Sequence, residues 1–370
     1  MRVNYNYLED EFKNNDLIFK EWKKLIKSTD FTLGSYIEKF ENSFAKYIGS
    51  KYCISTNNGT DALILCLKSL NVKEGDEVIT ACNSFYASAG AISAVGAKPV
   101  FCDVDDRYQM NPDSLKRKIN DKTKVIMPVH WGGGSPDIEE IVRIATNSKI
   151  HIVEDACMGI GAKVNNKSPG TFGIVNAFSM HPLKSLNVMG DAGAVVTNNF
   201  KLYKWLRKYR NHGMTNRDKI EFWGVNNRMQ PLQAIVAIHG LKKLKKVIKK
   251  RSQNAAFLDK HLSNEKLKNY LQIPARLRNS QETFALYMIT CKKRNKLKNF
   301  LEQKKIEVKI HYPIPLHLQK PALKMGYKVG DFPVAEKQAK TLLTLPVHQF
   351  LNNDHLEYIV NNIKEFYYKN

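Results

Sequence analysis

The chain has 370 residues, and 58 lysines and arginines against 35 aspartates and glutamates give it a formal net charge of +23. Hydrophobic residues make up 43% of the chain, which is typical of a globular protein with a large core and excludes a wholly disordered or collagen-like chain. The length predicts two domains, or one large domain and a smaller one.

The six cysteines are scattered, and no two of them form a Cys-x-x-Cys pair. In a chain of this length such a pattern argues against a disulfide framework and favours a reducing, cytoplasmic setting. The N-terminal residues lack an apolar signal region, and no run approaches the roughly 18 apolar residues of a membrane span. We therefore expect a soluble cytoplasmic protein that does not interact with a membrane.

Much of the basic excess lies in residues 241–251, where apolar residues recur at helical steps between the lysines. This spacing predicts an amphipathic helix with its lysines in solvent, which we favour over a nucleic-acid or membrane patch. No zinc-finger spacing or aromatic RNA-binding signature is present. We expect no nucleic-acid partner, although the positive field would favour a small anionic substrate.

Short apolar runs alternate with helical patterns between residues 50 and 200. This alternation predicts an α/β fold, a large, mostly parallel sheet with helices on both faces. In such sheets the ligand binds outside the carboxyl ends of the strands. The predicted strands are residues 77–80, 99–102, 124–129, 150–153, 176–179 and 193–197, and the predicted helices are residues 60–70, 86–95, 136–145 and 201–209.

A long predicted helix starts at Pro231 and ends near residue 250. Beyond it, apolar runs at residues 283–290, 308–310 and 343–346 predict strands with helices on one side. We therefore predict a large cofactor-binding domain with an N-terminal arm at residues 1–250, and a small C-terminal α+β domain at residues 251–370.

Three segments of the chain could hold a flat anionic cofactor. One is a turn that leads directly into a helix, and the other two are loops that follow predicted strands. Gly59 lets the backbone approach a ligand, and Thr60 can cap the following helix, whose free amides form a phosphate cradle. An ordinary helix cap would explain the same turn. Phe85 could stack on a planar ring or lie in the core. Asp155 follows a strand and faces the expected cleft, although it could also cap a helix.

A fourth loop carries Lys184 in a short, otherwise uncharged stretch. A lysine held in a pocket of low dielectric has a lowered pKa, and its neutral amine can form a Schiff base with a carbonyl. Taken alone, it would be read as an exposed lysine. A cradle, a ring, a carboxylate and a lysine together meet the requirements of pyridoxal 5'-phosphate.

Short motifs run through nearly the whole chain in a specific order and spacing. They are FENSF (40–44), GTDAL (59–63), GAKPVF (96–101), EDA (154–156), HPLK (181–184), GDAGAVV (190–196), RNHG (210–213), NNRM (226–229) and LTLP (343–346). With them the chain resembles the DegT/DnrJ/EryC1/StrS family of sugar aminotransferases, which have the aspartate aminotransferase fold.

The resemblance implies roles for several residues around the cofactor. Lys184 is similar to the Schiff-base lysine of the family, Asp155 to the partner of the pyridine nitrogen, and Phe85 to the ring-stacking residue. Lys184 also argues against the branch that has His at this position and dehydrates its sugar. Met158 replaces the usual Gln near the cofactor hydroxyl, so the electronics or the sugar contacts on that face are expected to differ.

The resemblance also implies which residues bind the phosphate of the cofactor. Gly59, Thr60 and Ser179 match phosphate-binding positions of the family. Asn226 matches the asparagine that reaches the phosphate from the neighbouring subunit, which implies a homodimer with shared active sites. The usual His-Leu-Tyr-Gly is changed to HWGG at residues 130–133, where the bulky tryptophan could reshape the substrate pocket or lie in the core. Candidate substrate residues are Trp131, His130, His181, Arg228 and His311, and we predict no metal.

We therefore predict a transaminase that moves an amino group from glutamate to a keto-sugar, with a nucleotide-linked 3- or 4-keto hexose as the first choice. Its amino-sugar would serve surface polysaccharide (such as lipopolysaccharide) or natural-product biosynthesis. A keto-sugar phosphate, a keto-sugar acid, a keto-cyclitol and a sugar dehydratase remain open. The competing class is a cofactor-free regulator or nucleic-acid binder that uses the basic face.

Overall fold

The fold is described by a computed structural model, which covers residues 1–369. The helices are α1 (Leu8–Glu11), α2 (Asp16–Ser28), α3 (Gly34–Ile48), α4 (Gly59–Ser69), α5 (Tyr86–Ala94), α6 (Pro112–Lys116), α7 (Ile138–Asn147), α8 (Phe200–Tyr209), α9 (Pro231–Leu262), α10 (Arg294–Gln303), α11 (Lys320–Lys324), α12 (Pro333–Thr341) and α13 (Asn353–Lys369). The strands are β1 (Tyr52–Thr56), β2 (Glu77–Ala81), β3 (Lys98–Cys102), β4 (Thr123–Met127), β5 (His151–Ile152), β6 (Lys163–Val164), β7 (Val175–Ser179), β8 (Gly193–Thr197), β9 (Met214–Asn216), β10 (Lys219–Ile220), β11 (Leu271–Gln272), β12 (Ser280–Gln281), β13 (Tyr287–Cys291) and β14 (Leu342–Leu345).

The central sheet has the strand order β3-β2-β4-β5-β7-β8-β1. Strands β3, β2, β4 and β5 pair in parallel, and Asp155 joins them to β7 through single parallel bridges with Val129 and Ala177. Within this sheet only β8 runs in the opposite direction, since it pairs antiparallel with both β7 and β1. The predicted α/β fold with a mostly parallel sheet is confirmed, although the edge strand β1 was not predicted.

Both faces of this sheet are covered by helices because its strands are apolar on both sides. Along β8, Ala194 and Val196 point into the core beneath α3 and α9, while Val195 points into the opposite core beneath α4. This is the alternation expected of successive strand residues. On α9, Leu244 and Ile248 are buried and the neighbouring lysines are exposed, as the amphipathic spacing predicts.

The second half of the chain forms a smaller sheet, in the order β11-β13-β14. Helix α9 extends past residue 250 to Leu262, and its C-terminal half packs into the core of this sheet together with Val3 from the N-terminal arm. The predicted strand at residues 308–310 is only a bridge between Lys309 and Thr344. The division at residue 250 stays a prediction, since α9 passes through it without a break.

Within residues 1–369, no helix combines the length and the apolar character needed to cross a membrane.

Candidate active site

A cavity of about 460 Å³ opens where β1, β2, β4, β5 and β7 end. One side of it is formed by the loops that follow these strands, which is the expected place for a ligand in such a sheet, and the other side by the N-terminal arm and the second half of the chain. Within the described residues, His130, Asn226 and Arg228 do not line it. The predicted site residues that do line it are Gly59, Thr60, Phe85, Trp131, Asp155, Met158, Ser179, His181, Lys184 and His311.

One end of the cavity is formed by the N-terminus of α4. Asn58, not Thr60 as expected, caps this helix, because its side-chain oxygen accepts a hydrogen bond of 2.8 Å from the Asp61 amide. The amides of Gly59 and Thr60 precede Ala62, the first residue whose amide donates a hydrogen bond within the helix, so they can bind an anion. A Cβ on Gly59 would lie 2.6 Å from the Cβ of Ser179, so only glycine leaves this cradle open.

Asp155 is not an exposed helix cap, since it is only 5% exposed and lines the cavity. Its Oδ2 accepts a hydrogen bond of 2.7 Å from the Ser88 hydroxyl, and its Oδ1 accepts one of 3.2 Å from the Cys157 amide. These two donors fix the plane of the carboxylate. The arrangement orients a buried negative charge toward a ligand in the cavity.

The neighbouring acid, Glu154, points away from the cavity. Its carboxylate accepts hydrogen bonds of 2.7 Å from the amides of Gly170, Phe172 and Gly173, and it is hydrogen-bonded to His130 Nε2 at 2.8 Å. Both side chains of this His–Glu pair are fully buried. His130 therefore has no surface from which to contact a substrate, contrary to its expected position. Its hydrogen bond to Glu154 stabilises the end of the strand after which Glu154 and Asp155 follow.

Lys184 lies in the turn that follows β7, where its amide donates a hydrogen bond of 2.9 Å to the His181 carbonyl. The Tyr7 hydroxyl donates one of 3.1 Å to the Lys184 carbonyl, so the N-terminal arm holds this turn in place. Burial lowers the pKa of Lys184, and the neighbouring Cys157 and Asp155 partly offset this effect. A lowered pKa increases the fraction of neutral amine, the form that attacks a carbonyl.

An aromatic wall covers the side of the cavity between these groups. The ring of Tyr312 lies 5.9 Å from that of Phe85 and 5.5 Å from that of Trp131, measured between centroids. Met158 packs against the same apolar cluster as Trp131. The two departures from the family pattern thus lie together in one wall, and both side chains line the cavity.

The backbone at residues 131–133 explains how the bulky indole fits. Gly132 and Gly133 have φ values of +66° and +92°, which non-glycine residues rarely adopt. A Cβ at Gly133 would also lie 2.2 Å from the Thr283 hydroxyl. The two glycines therefore let the turn fold tightly against the small sheet, with the Trp131 side chain only 2% exposed.

Several cavity residues were not predicted. Tyr7 from the N-terminal arm stacks on His348 at 5.2 Å between ring centroids, and the Arg251 guanidinium lies 5.1 Å from the Tyr7 ring centroid. All three line the cavity. None of them follows a strand of the central sheet, so the local sequence pattern did not place them at the cavity. They meet only because the arm and the end of the chain fold over the same cavity.

Asn226 and Arg228 lie together outside the cavity. Arg228 donates hydrogen bonds of 2.8 Å to Asn226 Oδ1 and 3.0 Å to Asn211 Oδ1. The nearby Trp223 is 88% exposed, which is unusual for so large an apolar side chain. Within one chain these residues therefore make no contact with a ligand in the cavity.

The residues present fit pyridoxal 5'-phosphate. The glycine cradle with its free amides suits a phosphate, the Phe85 ring suits a planar heterocycle, and the buried Asp155 suits a protonated ring nitrogen. Lys184 supplies an amine of lowered pKa in the same cavity. Fold and site together define an enzyme of the pyridoxal-phosphate-dependent aminotransferase class.

Comparisons with known proteins identify the family. Residues 13–364 match the model of the DegT/DnrJ/EryC1/StrS aminotransferase family. The chain is 35% identical to a pleiotropic regulatory protein of Geobacillus stearothermophilus, over 95% of this chain and 94% of that protein. It is 33% identical to dTDP-3-amino-3,6-dideoxy-alpha-D-galactopyranose transaminase of Aneurinibacillus thermoaerophilus, over 93% and 94%. The crystal structure of DesV from S. venezuelae superposes with a TM-score of 0.95 at 30% identity, over 99% and 98%.

The chain therefore belongs to the DegT/DnrJ/EryC1/StrS family, and it is a pyridoxal-phosphate-dependent sugar aminotransferase. This membership confirms the predicted fold class, cofactor and type of reaction.

The glycine cradle gives a direct test of cofactor binding. We expect Gly59→Ala to weaken pyridoxal phosphate binding by about 10- to 100-fold, because relieving an overpacked methyl costs about 1–3 kcal/mol. The dissociation constant is measured by titrating the apoprotein with the cofactor and following absorbance. Gly90→Ala is the matched control, since a Cβ there would meet no atom within 4 Å and alanine favours the helix. Equal affinities for the two variants would contradict the cradle.

Two histidines at the cavity, of which His348 is buried and His311 partly buried, predict how stability depends on pH. Burial lowers the pKa of His348 to about 4, and burial together with the Lys184 charge lowers that of His311 to about 4. Both rings stay neutral in the folded state while the unfolded chain binds protons below about pH 6.5. The free energy of unfolding therefore falls as the pH drops from 6.5 to 4, by up to about 1.4 kcal/mol per pH unit for each histidine.

Chemical denaturation at pH 6.5 and pH 5 measures this slope before most carboxylates titrate. We expect His348→Gln to have a clearly shallower slope than the parent protein. The same slope in both proteins would show that His348 does not contribute.

Proposed function

We propose that the protein transfers the amino group of glutamate to the carbonyl of a nucleotide-linked 3- or 4-keto hexose. The observation that carries the proposal is the single cavity in which Lys184, Asp155 and the N-terminus of α4 meet. The Aneurinibacillus relative is a transaminase of a dTDP-linked 3-amino sugar, which supports the acceptor class and suggests carbon 3 as the first to test.

Bound pyridoxal phosphate supplies an aldehyde and an electron-withdrawing ring. Asp155 would face the ring nitrogen in this proposal, and its negative charge would keep that nitrogen protonated. Ser88 holds the carboxylate in place through its hydrogen bond to Oδ2. The amides of Gly59 and Thr60, with the Ser179 hydroxyl, bind the phosphate.

Lys184 has two tasks in this proposal. Its Nζ would hold the cofactor through the aldehyde, and as a free amine it would take up and return the proton at the reacting carbon of the substrate. The lowered pKa suits both tasks, because only the neutral amine can accept a proton. The walls formed by Phe85, Trp131 and Tyr312 limit the access of water to that carbon.

The acceptor would enter along the wall that carries Trp131 and Met158. The apolar surface there favours contact with a sugar face or a deoxygenated carbon over hydrogen bonds to hydroxyl groups. The net charge of +23 would attract the diphosphate of a nucleotide sugar by long-range steering. His181 and His311 line the same cavity and are the remaining substrate candidates of this chain.

A homodimer with shared sites would account for Asn226 and Arg228. Both lie outside the cavity of their own chain, beside the exposed Trp223, so an apolar contact there could present them to a second cavity. Sedimentation equilibrium gives the oligomeric state. We also place the enzyme in the cytoplasm, a setting supported by six cysteines that are all free thiols.

The experiment follows the two half-reactions separately. Glutamate is added to the yellow holoenzyme, and the loss of cofactor colour and the formation of 2-oxoglutarate are measured. The aminated form is then offered a panel of keto-sugars, with nucleotide-linked 3-keto and 4-keto hexoses, sugar phosphates and keto-sugar acids, and return of the colour is recorded. We expect return with a nucleotide-linked sugar. Return with none of these, or only with a sugar lacking a nucleotide, would contradict the acceptor class.

A further inference from the structure

Arg251 is a buried cation in the cavity wall that the reaction described so far does not use. Its side chain lies on α9 and is only 1% exposed, yet it lines the cavity. Its Nε donates a hydrogen bond of 2.9 Å to the Gln349 side-chain oxygen, and its Nη1 makes a long contact of 3.5 Å with the Phe284 carbonyl. Its Nη2 has no hydrogen-bond partner among residues 1–369.

Arg251 is therefore a buried positive charge that has no counter-ion. The guanidinium stays charged in proteins, and a buried charge without a counter-ion costs several kcal/mol. Arg210, which is similarly buried, is paired with the Glu41 carboxylate. No carboxylate of the described chain lies within 4 Å of the Arg251 nitrogens. The charge of Arg251 is therefore available to an anion that enters the cavity.

The groups packed around Arg251 do not neutralise it. Tyr7 lies under the guanidinium, and burial raises the pKa of the nearby Tyr5 hydroxyl, so that it remains protonated. Burial lowers the pKa of His348 to about 4, and the Arg251 charge adds to this effect, so the ring is neutral at pH 7. Gln349, which accepts from Arg251, carries no charge. The Glu11 carboxylate accepts a hydrogen bond from the Gln349 amide and not from Arg251, so the guanidinium has no directly bonded counter-ion.

Tyr7 also relates Arg251 to the reactive lysine. The guanidinium lies over the Tyr7 ring, and the Tyr7 hydroxyl donates a hydrogen bond to the Lys184 carbonyl. The cation and the lysine therefore lie on either side of one tyrosine in the same cavity. A small ligand whose amine lies at the Lys184 position would have to extend past this tyrosine to place an acidic group beside Arg251.

We propose that Arg251 binds a carboxylate of the amino donor and so selects an acidic amino acid as the substrate of the first half-reaction. The inference rests on the proposed transamination. A carboxylate fits because the Nη1 and Nη2 edge of the guanidinium is nearly free and can donate two parallel hydrogen bonds. The deep position of Arg251 favours a small amino acid over the bulkier phosphates of a nucleotide sugar.

The test uses glutarate, a five-carbon dicarboxylate that has no amine and cannot react. The holoenzyme is titrated with glutarate, and binding is followed by the change in cofactor absorbance and by calorimetry. Because truncating one partner of a buried charge pair costs about 2–5 kcal/mol, we expect Arg251→Gln to raise the dissociation constant at least about 30-fold. Arg251→Lys keeps the charge but loses the planar fork, and we expect an increase of about tenfold.

Arg294→Gln is the matched control, since Arg294 is also buried, donates a hydrogen bond of 2.7 Å to the Leu342 carbonyl and does not line the cavity. We expect this variant to bind glutarate like the parent protein, whatever it loses in thermal stability. The rate at which aminated Arg251→Gln reacts with the keto-sugar is measured as well, to show whether Arg251 also serves the acceptor. If Arg251→Gln does not fold, Arg251→Lys decides by the same titration.

The outcomes separate this inference from the proposed function. Unchanged glutarate affinity in a folded Arg251 variant would overturn the assignment while leaving transamination intact. Slower reaction of the keto-sugar with unchanged glutarate binding would also overturn it, and would assign Arg251 to the acceptor. If the parent protein forms no 2-oxoglutarate from glutamate, the proposed donor reaction itself fails, and glutarate binding then reports only an anion site.

Discussion

Lys184→Ala is expected to lower the rate of amino transfer by about 10⁴-fold, the largest effect of any single substitution in the cavity. The variant loses both the amine that holds the cofactor and the base that moves the proton, and acid–base catalysis alone accounts for about 10²- to 10⁴-fold. Single-turnover kinetics with glutamate, read by absorbance, measure the loss. The variant should still bind pyridoxal phosphate, because the phosphate cradle of α4 is unchanged.

Lys163→Ala is the matched control for this substitution. Burial lowers the pKa of Lys163 as well, but its Nζ donates a hydrogen bond of 2.7 Å to the Ser168 hydroxyl and it does not line the cavity. We expect its rate of amino transfer to stay within about threefold of the parent value. Activity of Lys184→Ala near that of this control would exclude Lys184 as the reactive lysine.

Asp155→Asn is expected to lower the same rate by about 10²- to 10³-fold. The amide keeps the size of the side chain and an oxygen for the Ser88 hydroxyl, but it removes the negative charge that would pair with the ring nitrogen of the cofactor. Breaking a buried ion pair costs about 3–5 kcal/mol, and the lower half of this range corresponds to the expected loss of rate when the cost falls on the transition state. The rate of the glutamate half-reaction is again the measurement.

Asp191→Asn removes the same charge from another part of the cavity wall, where the side chain is exposed. We expect a change of less than about threefold, because a solvated carboxylate interacts weakly with its surroundings. A loss of less than tenfold in Asp155→Asn, or equal losses in the two variants, would contradict the assigned role of Asp155.

The position of the site could be predicted because it depends on local patterns. Strands β2, β4, β5 and β7 are short apolar runs, and the loops that follow them contain Phe85, Trp131, Asp155 and Lys184. In a parallel sheet these loops must meet at one edge. Glycine in a turn before a helix likewise indicated the cradle, although the capping residue is Asn58.

The structure corrected expectations that depend on side-chain direction. Glu154 and Asp155 are neighbours in sequence, but only Asp155 faces the cavity, and His130 is buried with Glu154 behind the wall. Extended residues alternate between faces, and the sequence does not say which of two acids points outward. Arg251 ends the basic run of residues 241–251, for which only the lysines were predicted to face solvent, and the structure shows that it is buried where α9 passes from one core to the other.

Borohydride reduction of the holoenzyme followed by peptide mapping tests the central claim most directly. Reduction makes the link between the cofactor aldehyde and its lysine permanent, so mass spectrometry reveals which of the many lysines carries the pyridoxyl group. We predict one labelled peptide, with the label on Lys184, and its disappearance in Lys184→Ala. A label on a different lysine, or none in a yellow protein, would contradict the assignment of this cavity as the active site.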